Sequence, residues 1–524
     1  MGLPAGIRYG VGGLALLLAM AALGLQPAQA QIVEVHNPTV SLFDPGVYQR
    51  PDGASLATVL PVILNRPIDD LSPRAGADAM AMGGAHLALA DGAAALAWNP
   101  ANLARLRESS IMVDGFSLGS SGSANTSTLP PQVLVPGYGD FEITTYRSRL
   151  GAQAGFGFVG GARPLIDVAG SPLVGGIGYR RHTEVGYGQE LLMEMNLIGA
   201  TGGSFPFTFG AENDERGFLE SLTMGLGYEA VRGSSFSLSL GASANFLTGR
   251  LRSDNIARVA VRNFEQGKGK FQQNHKGFAV ETGALAQVTD QVRLAAWAEL
   301  PHTVHVRNGA LMDQAIRTPN VTEPTYRNYW DIADYDMEFP LFASVGVAIG
   351  PIQGFEIAAD YNLRPWSKVD IKHTEAEFQP FDGSYPAADV ESFHVGTRFE
   401  FPLLREPLHR AGLRLGTMLG FRTMPLSMLD TSLEDDTKPP HYHSDGVEGH
   451  ALAFGFTLAT RQVDFHIGME FQSYEYGTWF LDDQRELGTE DSPQREIWFE
   501  NPDNRVIEVS RDNTIFRFSS ELHL

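Results

Sequence analysis

Residues 236–246 read FSLSLGASANF, with apolar or small residues alternating with Ser, Gly and Asn. Phe236 and Phe246 fall on the same face of an extended chain, because successive side chains of a strand point to opposite sides. The same period of two recurs in residues 450–460 and 462–474. The alternation predicts β-strands with one apolar face and one face of small, polar or charged residues.

Segments with this pattern occupy most of the chain after residue 108. There are about fourteen: 109–117, 152–161, 172–182, 219–229, 236–246, 277–288, 292–300, 341–349, 354–363, 391–401, 411–421, 450–460, 462–474 and 513–524. An even number of amphipathic strands is typical of a transmembrane barrel, in which the apolar face meets lipid and the polar face lines the lumen. A soluble periplasmic β protein would carry the same alternation, so the pattern alone leaves both open.

The lengths of the connections separate these two classes. Short turns fall at 230–235, 289–291, 350–353, 402–410 and 461, and long connections at 118–151, 183–218, 247–276, 301–340, 364–390, 422–449 and 475–512. Short periplasmic turns that alternate with long outer loops are the arrangement of outer-membrane barrels. Irregular loops of this length are uncommon in compact soluble domains. We therefore predict an all-β fold, a transmembrane antiparallel β-barrel in the cell outer membrane.

Both ends of the chain fit this location. Arg8, an apolar run at 13–25 and Ala-Gln-Ala at 28–30 have the order of a cleaved export signal, so we predict a signal peptide over residues 1–30. Residues 514–524 form an amphipathic strand that resembles the insertion signal of outer-membrane proteins. The predicted partners are therefore membrane lipids and the outer-membrane assembly machinery.

Composition excludes several functions. The 524 residues carry a formal net charge of −22, which argues against nucleic acid as a partner because phosphates need basic residues. There is no cysteine, so disulfides and thiol chemistry are absent. The sequence has no Walker loop, H-E-x-x-H or G-x-S-x-G, and its acidic outer loops lack EF-hand spacing. We predict no enzyme activity, no cofactor and no metal site.

The segment before the predicted barrel has a different composition. Residues 31–74 are broken by prolines, and residues 75–106 are rich in Ala and Gly and nearly uncharged, with a short helical run at 91–98. Such a segment cannot be stable alone in water. Inside the barrel it would form a plug, an arrangement known for larger barrels. The predicted domains are thus the signal at 1–30, an extension and plug at 31–108, and the barrel at 109–524.

The plug segment resembles the N-terminal hatch of the FadL-type long-chain fatty acid outer-membrane transporter superfamily. The residues that carry the resemblance are Gly76, Met82-Gly83-Gly84-Ala85, Ala90-Asp91, Ala93 to Ala95, Asn99-Pro100-Ala101 and Leu103. The resemblance implies a monomeric fourteen-strand barrel closed by a hatch. It also implies a hydrophobic small-molecule substrate that crosses by diffusion and hatch rearrangement, without nucleotide.

Two sets of site residues follow. The resemblance assigns the hatch motif to Gly83, Gly84, Asp91, Asn99, Pro100 and Ala101. The candidate ligand-binding residues are an apolar loop stretch and three inward-facing arginines: Leu191, Leu192, Met195, Leu197, Phe205, Phe207, Arg293, Arg398 and Arg414. The apolar stretch could instead be a strand extension packed on the rim. The arginines could instead pair with carboxylates inside a wet lumen.

The predicted function is passive transport of hydrophobic small molecules, long-chain fatty acids or hydrocarbons. The superfamily also includes barrels that hold protein cargo at the cell surface, so a scaffold or secretion partner is the alternative. A continuous apolar path from the outer loops into the lumen would favour transport.

Overall fold

The computed structural model describes most of the chain from residue 74 onward. The described residues are 33–35, 74–125, 133–135, 139–150, 153–198, 204–233, 235–260, 266–307, 312–317, 326–330, 334–373, 383–384, 389–402, 413–423, 448–479, 486–489, 492–495 and 506–524. The predicted signal peptide and most of the 31–74 extension lie outside them, as do most of the acidic residues of the 422–449 and 475–512 connections.

Fourteen antiparallel strands form a closed barrel, which confirms the predicted fold class. The strands are β1 (Ser110–Asn125), β2 (Gln153–Val168), β3 (Ser171–Ile198), β4 (Ser204–Arg232), β5 (Ser237–Ala260), β6 (Gln266–Gln287), β7 (Val292–Glu299), β8 (Phe342–Ile352), β9 (Phe355–Arg364), β10 (Val390–Pro402), β11 (Arg414–Thr423), β12 (Glu448–Ala459), β13 (Val463–Trp479) and β14 (Val506–His523). Pairing of β1 with β14, from Ser110↔His523 to Asn125↔Glu508, closes the barrel.

The barrel wall is apolar outside and small or polar inside. On β12, Leu452 is 49% exposed and Phe456 is 59% exposed, whereas Ala451 and Ala453, which flank Leu452 and face the other side, are fully buried. An outward-facing apolar surface on a closed barrel has to be covered by lipid. The chain is therefore an outer-membrane protein.

Several predicted strands were too short at the end that leads into a long connection. Segments 183–218 and 247–276 were predicted as loops, but β3 and β4 remain paired from Leu173↔Tyr228 out to Ile198↔Ser204. β5 and β6 likewise remain paired out to Arg258↔Gln266. In the sequence, charged and polar runs such as 212–216 interrupt the hydrophobic alternation, although the backbone hydrogen bonds continue.

Smaller strands lie at the end of the barrel that carries the long connections. They are Val33–Val35, Val133–Val135, Gly139–Leu150, His302–Arg307, Met312–Arg317, Tyr326–Trp330, Tyr335–Phe339, Asp370–His373, Gly383–Ser384, Glu486–Thr489 and Ser492–Arg495. Val33–Val35 pairs with Gly139–Leu150, so this piece of the predicted extension lies beside an outer connection.

The helices are short and belong almost entirely to the segment before β1. They are α1 (Ala77–Ala81), a 3₁₀ turn at Gly92–Ala94, α2 (Ala95–Trp98), a 3₁₀ helix at Pro100–Arg105 and a 3₁₀ turn at Trp366–Lys368. The predicted helical run at 91–98 is thus a 3₁₀ turn followed by one α-helical turn. No helix in the described part of the chain is long and apolar enough to cross a membrane.

A buried ion pair lies at the seam between the first and last strands. Asp114 of β1 accepts hydrogen bonds from Nε and Nη2 of Arg517 on β14, at 2.9 and 2.7 Å, and both side chains are almost inaccessible to solvent. A bidentate arginine–carboxylate pair combines charge attraction with a defined geometry. It therefore favours the register that closes the barrel.

We expect Asp114→Ala to destabilise the barrel by about 3–5 kcal/mol, because it removes the carboxylate partner of a buried guanidinium. The measurement is the urea midpoint for loss of the heat-modifiable folded band on a gel. The double variant Asp114→Ala/Arg517→Met is the control and should recover much of the loss. Equal midpoints for Asp114→Ala and the unchanged chain would contradict a role for the pair at the seam.

Candidate functional site

The segment from Ala75 to Ala104 fills the lumen and is called the hatch below. Every residue in it is buried except Asp91. The surface of the hatch is made mostly of alanine, glycine and a few larger apolar residues. This surface packs against the inner side of the barrel wall. Because the hatch has few charges, it can pack against a wall at close range without leaving buried charges unpaired.

Glycines of the wall face the hatch in directly opposed cross-strand pairs. Gly241 of β5 is paired with Gly283 of β6. A Cβ built on Gly241 would lie 2.2 Å from the Pro100 carbonyl carbon, and one on Gly283 would lie 1.9 Å from Asn99 Oδ1. Any side chain at either position would occupy the space that the Asn-Pro turn of the hatch now fills.

The same arrangement recurs where the Met82-Gly83 turn reaches the wall. Gly396 of β10 is paired with Gly420 of β11. A Cβ on Gly396 would lie 2.3 Å from the Met82 carbonyl oxygen, and one on Gly420 would lie 1.9 Å from the Gly83 nitrogen. At this point the backbone of the hatch turn therefore lies directly against the backbone of the wall strands.

Two further pairs receive hatch side chains. Leu96 fits between Gly176 of β3 and Gly225 of β4, and α1 lies against Gly455 of β12 and Gly468 of β13. We call these four cross-strand pairs the glycine slots: Gly241–Gly283, Gly396–Gly420, Gly176–Gly225 and Gly455–Gly468. The high glycine content of the chain thus has a definite use, which the alternating pattern did not reveal.

Gly83 and Gly84 of the hatch motif adopt left-handed backbone conformations, with φ of 65° and 80°. Residues with a Cβ rarely adopt these angles. Gly83 also lies so close to Phe421 that a Cβ would be 2.6 Å from its nitrogen. The Met-Gly-Gly turn therefore depends on both glycines.

Asn99 joins the hatch to the wall through its side-chain amide. Its Oδ1 accepts the backbone N–H of Ala101 and caps the Pro100–Arg105 helix. Its Nδ2 donates to the carbonyl oxygens of Ala284 on β6, at 3.2 Å, and Ala296 on β7, at 3.4 Å. Pro100 occupies the first turn of that helix, where a missing N–H costs nothing.

Several wall side chains accept or share hydrogen bonds with the hatch backbone. Asp360 Oδ2 accepts the N–H groups of His86 and Leu87 at 2.7 and 2.8 Å. His394 Nδ1 lies 2.7 Å from the Gly83 carbonyl oxygen. Ser519 accepts from Ala77, and Glu521 accepts from Ala93. Alternation along the strands predicts that Asp360 and Glu521 point into the lumen, but it does not predict which hatch groups they bind. Nothing in the sequence indicated that His394 would contact the hatch.

His86 packs inside the hatch, edge-on to Trp98 with ring centroids 5.4 Å apart. Burial lowers the pKa of His86 below its ordinary value, so the imidazole is neutral at neutral pH. Its 3.6 Å contact with Asp78 is then not an ion pair.

The three predicted arginines lie together around a cavity of about 260 Å³ at the short-turn end of the lumen. Arg293 and Arg398 both pair with Glu356, and Arg398 and Arg414 both approach Glu400 at 3.6 Å. Asp91 of the hatch faces the same cavity. An incoming carboxylate would have to compete with both glutamates for these arginines. Ligand binding here stays a prediction.

The predicted apolar stretch lies on the outer part of the β3–β4 hairpin. Its backbone is strand, with Leu197 opposite Phe205 and Met195 opposite Phe207. Leu191 and Leu192 lie closer to the barrel on β3. The side chains of this stretch are outside the described part of the structure, so its role as a ligand groove stays a prediction.

An apolar cluster runs from the hatch to the long-connection end of the lumen. Its core on the wall is aromatic: the rings of Phe342 and Trp366 lie 5.2 Å apart, and those of Phe339 and Trp366 lie 6.0 Å apart. The remaining members include Leu87 and Ala88 of the hatch, with Trp297, Val304, Val306, Met337 and Val390 of the wall and its extensions. Sequence reasoning missed this cluster because its members are spread over several barrel strands and over connections with a mostly polar composition.

Arg74 covers this cluster where the chain enters the hatch. Its guanidinium carbon lies 3.8 Å from the ring centroid of Trp297, and its Nη1 donates to the carbonyl oxygen of Trp98. Arg364 approaches the same Trp297 ring at 5.2 Å. Cation–π contacts of this kind keep charge next to an apolar surface at low cost.

The structure is similar to several solved bacterial transporters. The P. putida toluene transporter TodX is 13% identical, over 86% of this chain and 98% of that chain, with a TM-score of 0.46. A Pseudomonas aeruginosa FadL homologue is 11% identical over 86% and 98%, with a TM-score of 0.47. The Ralstonia pickettii toluene transporter TbuX is 12% identical over 86% and 98%, with a TM-score of 0.46. No protein-family model and no curated protein matches the chain.

The glycine slots generate a direct test. We expect Gly420→Ala to push the Met82-Gly83 turn away from the wall, because the new methyl would lie 1.9 Å from the Gly83 nitrogen. Single-channel conductance in a planar bilayer should rise as the lumen opens. Gly115→Ala is the matched control, since its methyl would meet only the Gly155 oxygen at 3.4 Å. Unchanged conductance for both variants would contradict the close fit.

Proposed function

We propose that the chain transports hydrophobic small molecules, fatty acids or hydrocarbons, across the outer membrane by passive diffusion. The observation that carries the proposal is the aromatic and aliphatic cluster inside the long-connection end of the lumen, continuous with the hatch. The lumen of a barrel that passes polar solutes is water-filled and polar. These side chains are buried against one another, so a hydrophobic molecule would enter by taking the place of contacts that the cluster now makes.

The energetics need no external source. Each methylene buried from water contributes about 0.8 kcal/mol. A chain of about ten methylenes therefore gains roughly 8 kcal/mol on entering an apolar site, which is enough for capture from dilute solution. The lumen beyond the hatch is lined by charged residues such as Glu356 and Arg398. The ligand would bind on the apolar side and be released where the surroundings become polar or open to lipid.

Passage requires the hatch to rearrange, because it fills the lumen. α1 has five residues and α2 has four, so neither helix is stable without its packing partners. The hatch is attached to the wall by a small set of hydrogen bonds and many contacts with small residues. A hydrophobic ligand that replaces some of those contacts can shift the hatch at modest cost.

Mass spectrometry of lipids extracted from the folded protein, purified in mild detergent, tests the proposed substrate class. We expect fatty acid or hydrocarbon in stoichiometric amount. A protein purified in parallel from the same membranes, with an open polar barrel, is the control for carry-over. An extract without such molecules, from a barrel that is still heat-modifiable on a gel, would contradict the proposal and favour a scaffold for protein cargo.

A disulfide between hatch and wall tests the rearrangement. Ser519 Oγ lies 3.0 Å from the Ala77 nitrogen, so Ala77→Cys/Ser519→Cys introduces one thiol on each side of a direct hatch–wall contact. The chain has no other cysteine. We expect oxidation to reduce uptake of labelled fatty acid or toluene into vesicles to the protein-free rate, and reduction to restore it. Each single variant is a control. Undiminished uptake by the oxidised pair would mean that substrate passes without hatch movement.

A further inference from the structure

Aromatic rings and two arginine side chains follow one another through the apolar cluster, from the long-connection end of the lumen to the hatch. Neighbouring members of this row lie 3.8 to 6.0 Å apart, measured between ring centroids or from a guanidinium carbon to a ring centroid. We call the row the aromatic ladder. Its members, from the outer end inward, are His302, Phe339, Trp366, Phe342, Arg364, Trp297, Arg74 and Trp98.

The two arginines of the aromatic ladder each lie near two rings. The Arg364 guanidinium carbon is 5.3 Å from the ring centroid of Phe342 and 5.2 Å from that of Trp297. The Arg74 guanidinium carbon is 3.8 Å from the same Trp297 centroid and 5.6 Å from that of Trp98. A guanidinium within about 6 Å of a ring centroid is attracted by the negative face of the ring. Trp297 is therefore shared by both arginines.

Arg74 connects the hatch to the wall. Its Nη1 donates to the Trp98 carbonyl oxygen at 3.0 Å, and its guanidinium lies against the Trp297 ring of β7. The attraction between a cation and a ring depends on the face of the ring and not on one particular atom. A second aromatic ring that reached the guanidinium would therefore satisfy it as well as Trp297 does.

No ion pair competes for Arg74 among the residues that the structure describes. Glu281 and Glu299 are acidic groups whose charges act on Arg74, and both have closer partners. Glu281 lies 3.1 Å from Arg180, and Glu299 lies 3.5 Å from His302. The contacts that hold Arg74 are thus with rings and with one neutral carbonyl group, so a neutral ligand can replace part of them.

Arg74 is also the most accessible of the inner members of the aromatic ladder. It is half-buried, whereas Trp297 is 3% exposed and Trp98 is 7% exposed. Each tryptophan has a second anchor: Trp297 Nε1 donates to Glu281 Oε2 at 3.3 Å, and Trp98 Nε1 donates to the Ala75 carbonyl oxygen at 2.6 Å. The arginine can therefore change its ring partner while both indoles stay in place.

We infer that Arg74 is the specificity-determining residue of the proposed transport path, and that it selects molecules that carry an aromatic ring. The ring of the ligand takes the place of Trp297 on the guanidinium, and this exchange loosens the attachment of the hatch at its first residues. A saturated ring of the same size has no negative π face and gains only from burial. The inference rests on the proposed function and narrows its hydrophobic small molecules to aromatic ones.

Isothermal titration calorimetry of the purified full chain in mild detergent tests the inference with two alcohols of similar size. The probes are benzyl alcohol and cyclohexylmethanol, one with an aromatic and one with a saturated ring, and titrations into detergent alone are subtracted. We expect the ratio of their dissociation constants to shift about tenfold toward the aromatic probe in the unchanged chain relative to Arg74→Met, because that variant loses a partly desolvated cation–π contact. Arg74→Lys keeps a cation and should retain most of the preference.

Arg181→Met is the matched control. Arg181 also lies over a ring, that of Phe218 at 5.1 Å, but it is not part of the aromatic ladder. The control should show the same ratio as the unchanged chain. The heat-modifiable band on a gel shows that each variant is folded. Arg74→Gln, which keeps a donor for the Trp98 carbonyl oxygen, replaces Arg74→Met if that variant lacks the band.

Equal ratios in the unchanged chain and in the folded neutral variant would overturn the inference. The same shift in Arg181→Met would assign the preference to a general loss of charge and would also overturn it. Binding of decanoic acid but of neither alcohol would leave the proposed transport intact and overturn the selection of aromatic rings. Failure of all three molecules to bind would contradict the proposed function itself, and the inference with it.

Discussion

The close fit between a hatch with few charges and a wall of paired glycines is the constraint on which the rest of the structure depends. A fourteen-strand barrel encloses more space than the side chains of its own wall fill. The glycine slots let a second layer of backbone occupy that space, so that hatch turns contact strands directly at Gly241–Gly283 and Gly396–Gly420. Interiors are close-packed, so even one added methyl at such a contact has to displace something.

Directional bonds then determine how the hatch is oriented. Small apolar contacts alone would allow it to slide, because alanine and glycine surfaces are nearly featureless. Asp360, His394 and Asn99 bind particular backbone groups, at 2.7 to 3.4 Å, and each such bond has only one matching position. These bonds also satisfy hatch groups that would otherwise be buried without partners. Packing supplies the close contact, and the hydrogen bonds supply the orientation.

The sequence predicted the architecture well because each barrel strand within the membrane has to be apolar on one face. Strand number and alternation follow from that requirement, whereas the hatch was predicted from its composition and from the family resemblance. The outer strand extensions of β3 to β6 were missed because charged and polar runs, such as 212–216, interrupt the hydrophobic period in the sequence. The glycine slots and the aromatic cluster were missed because both depend on which residues pair across strands. The alternation of residues along a strand predicts which face of the sheet a side chain is on, but not which residue lies opposite it on the next strand.

The hatch precedes every strand of the barrel in the chain, yet it contacts both the early and the late ones. Ala77 donates to Ser519, 442 residues away, and Ala93 donates to Glu521, 428 residues away. The surface that receives the hatch is therefore incomplete until the final strand has paired. Contacts so distant along the chain close slowly, because the entropy of a large loop has to be lost first. The segment made first is thus the one that docks last, and it has to remain unfolded or sheltered throughout barrel assembly.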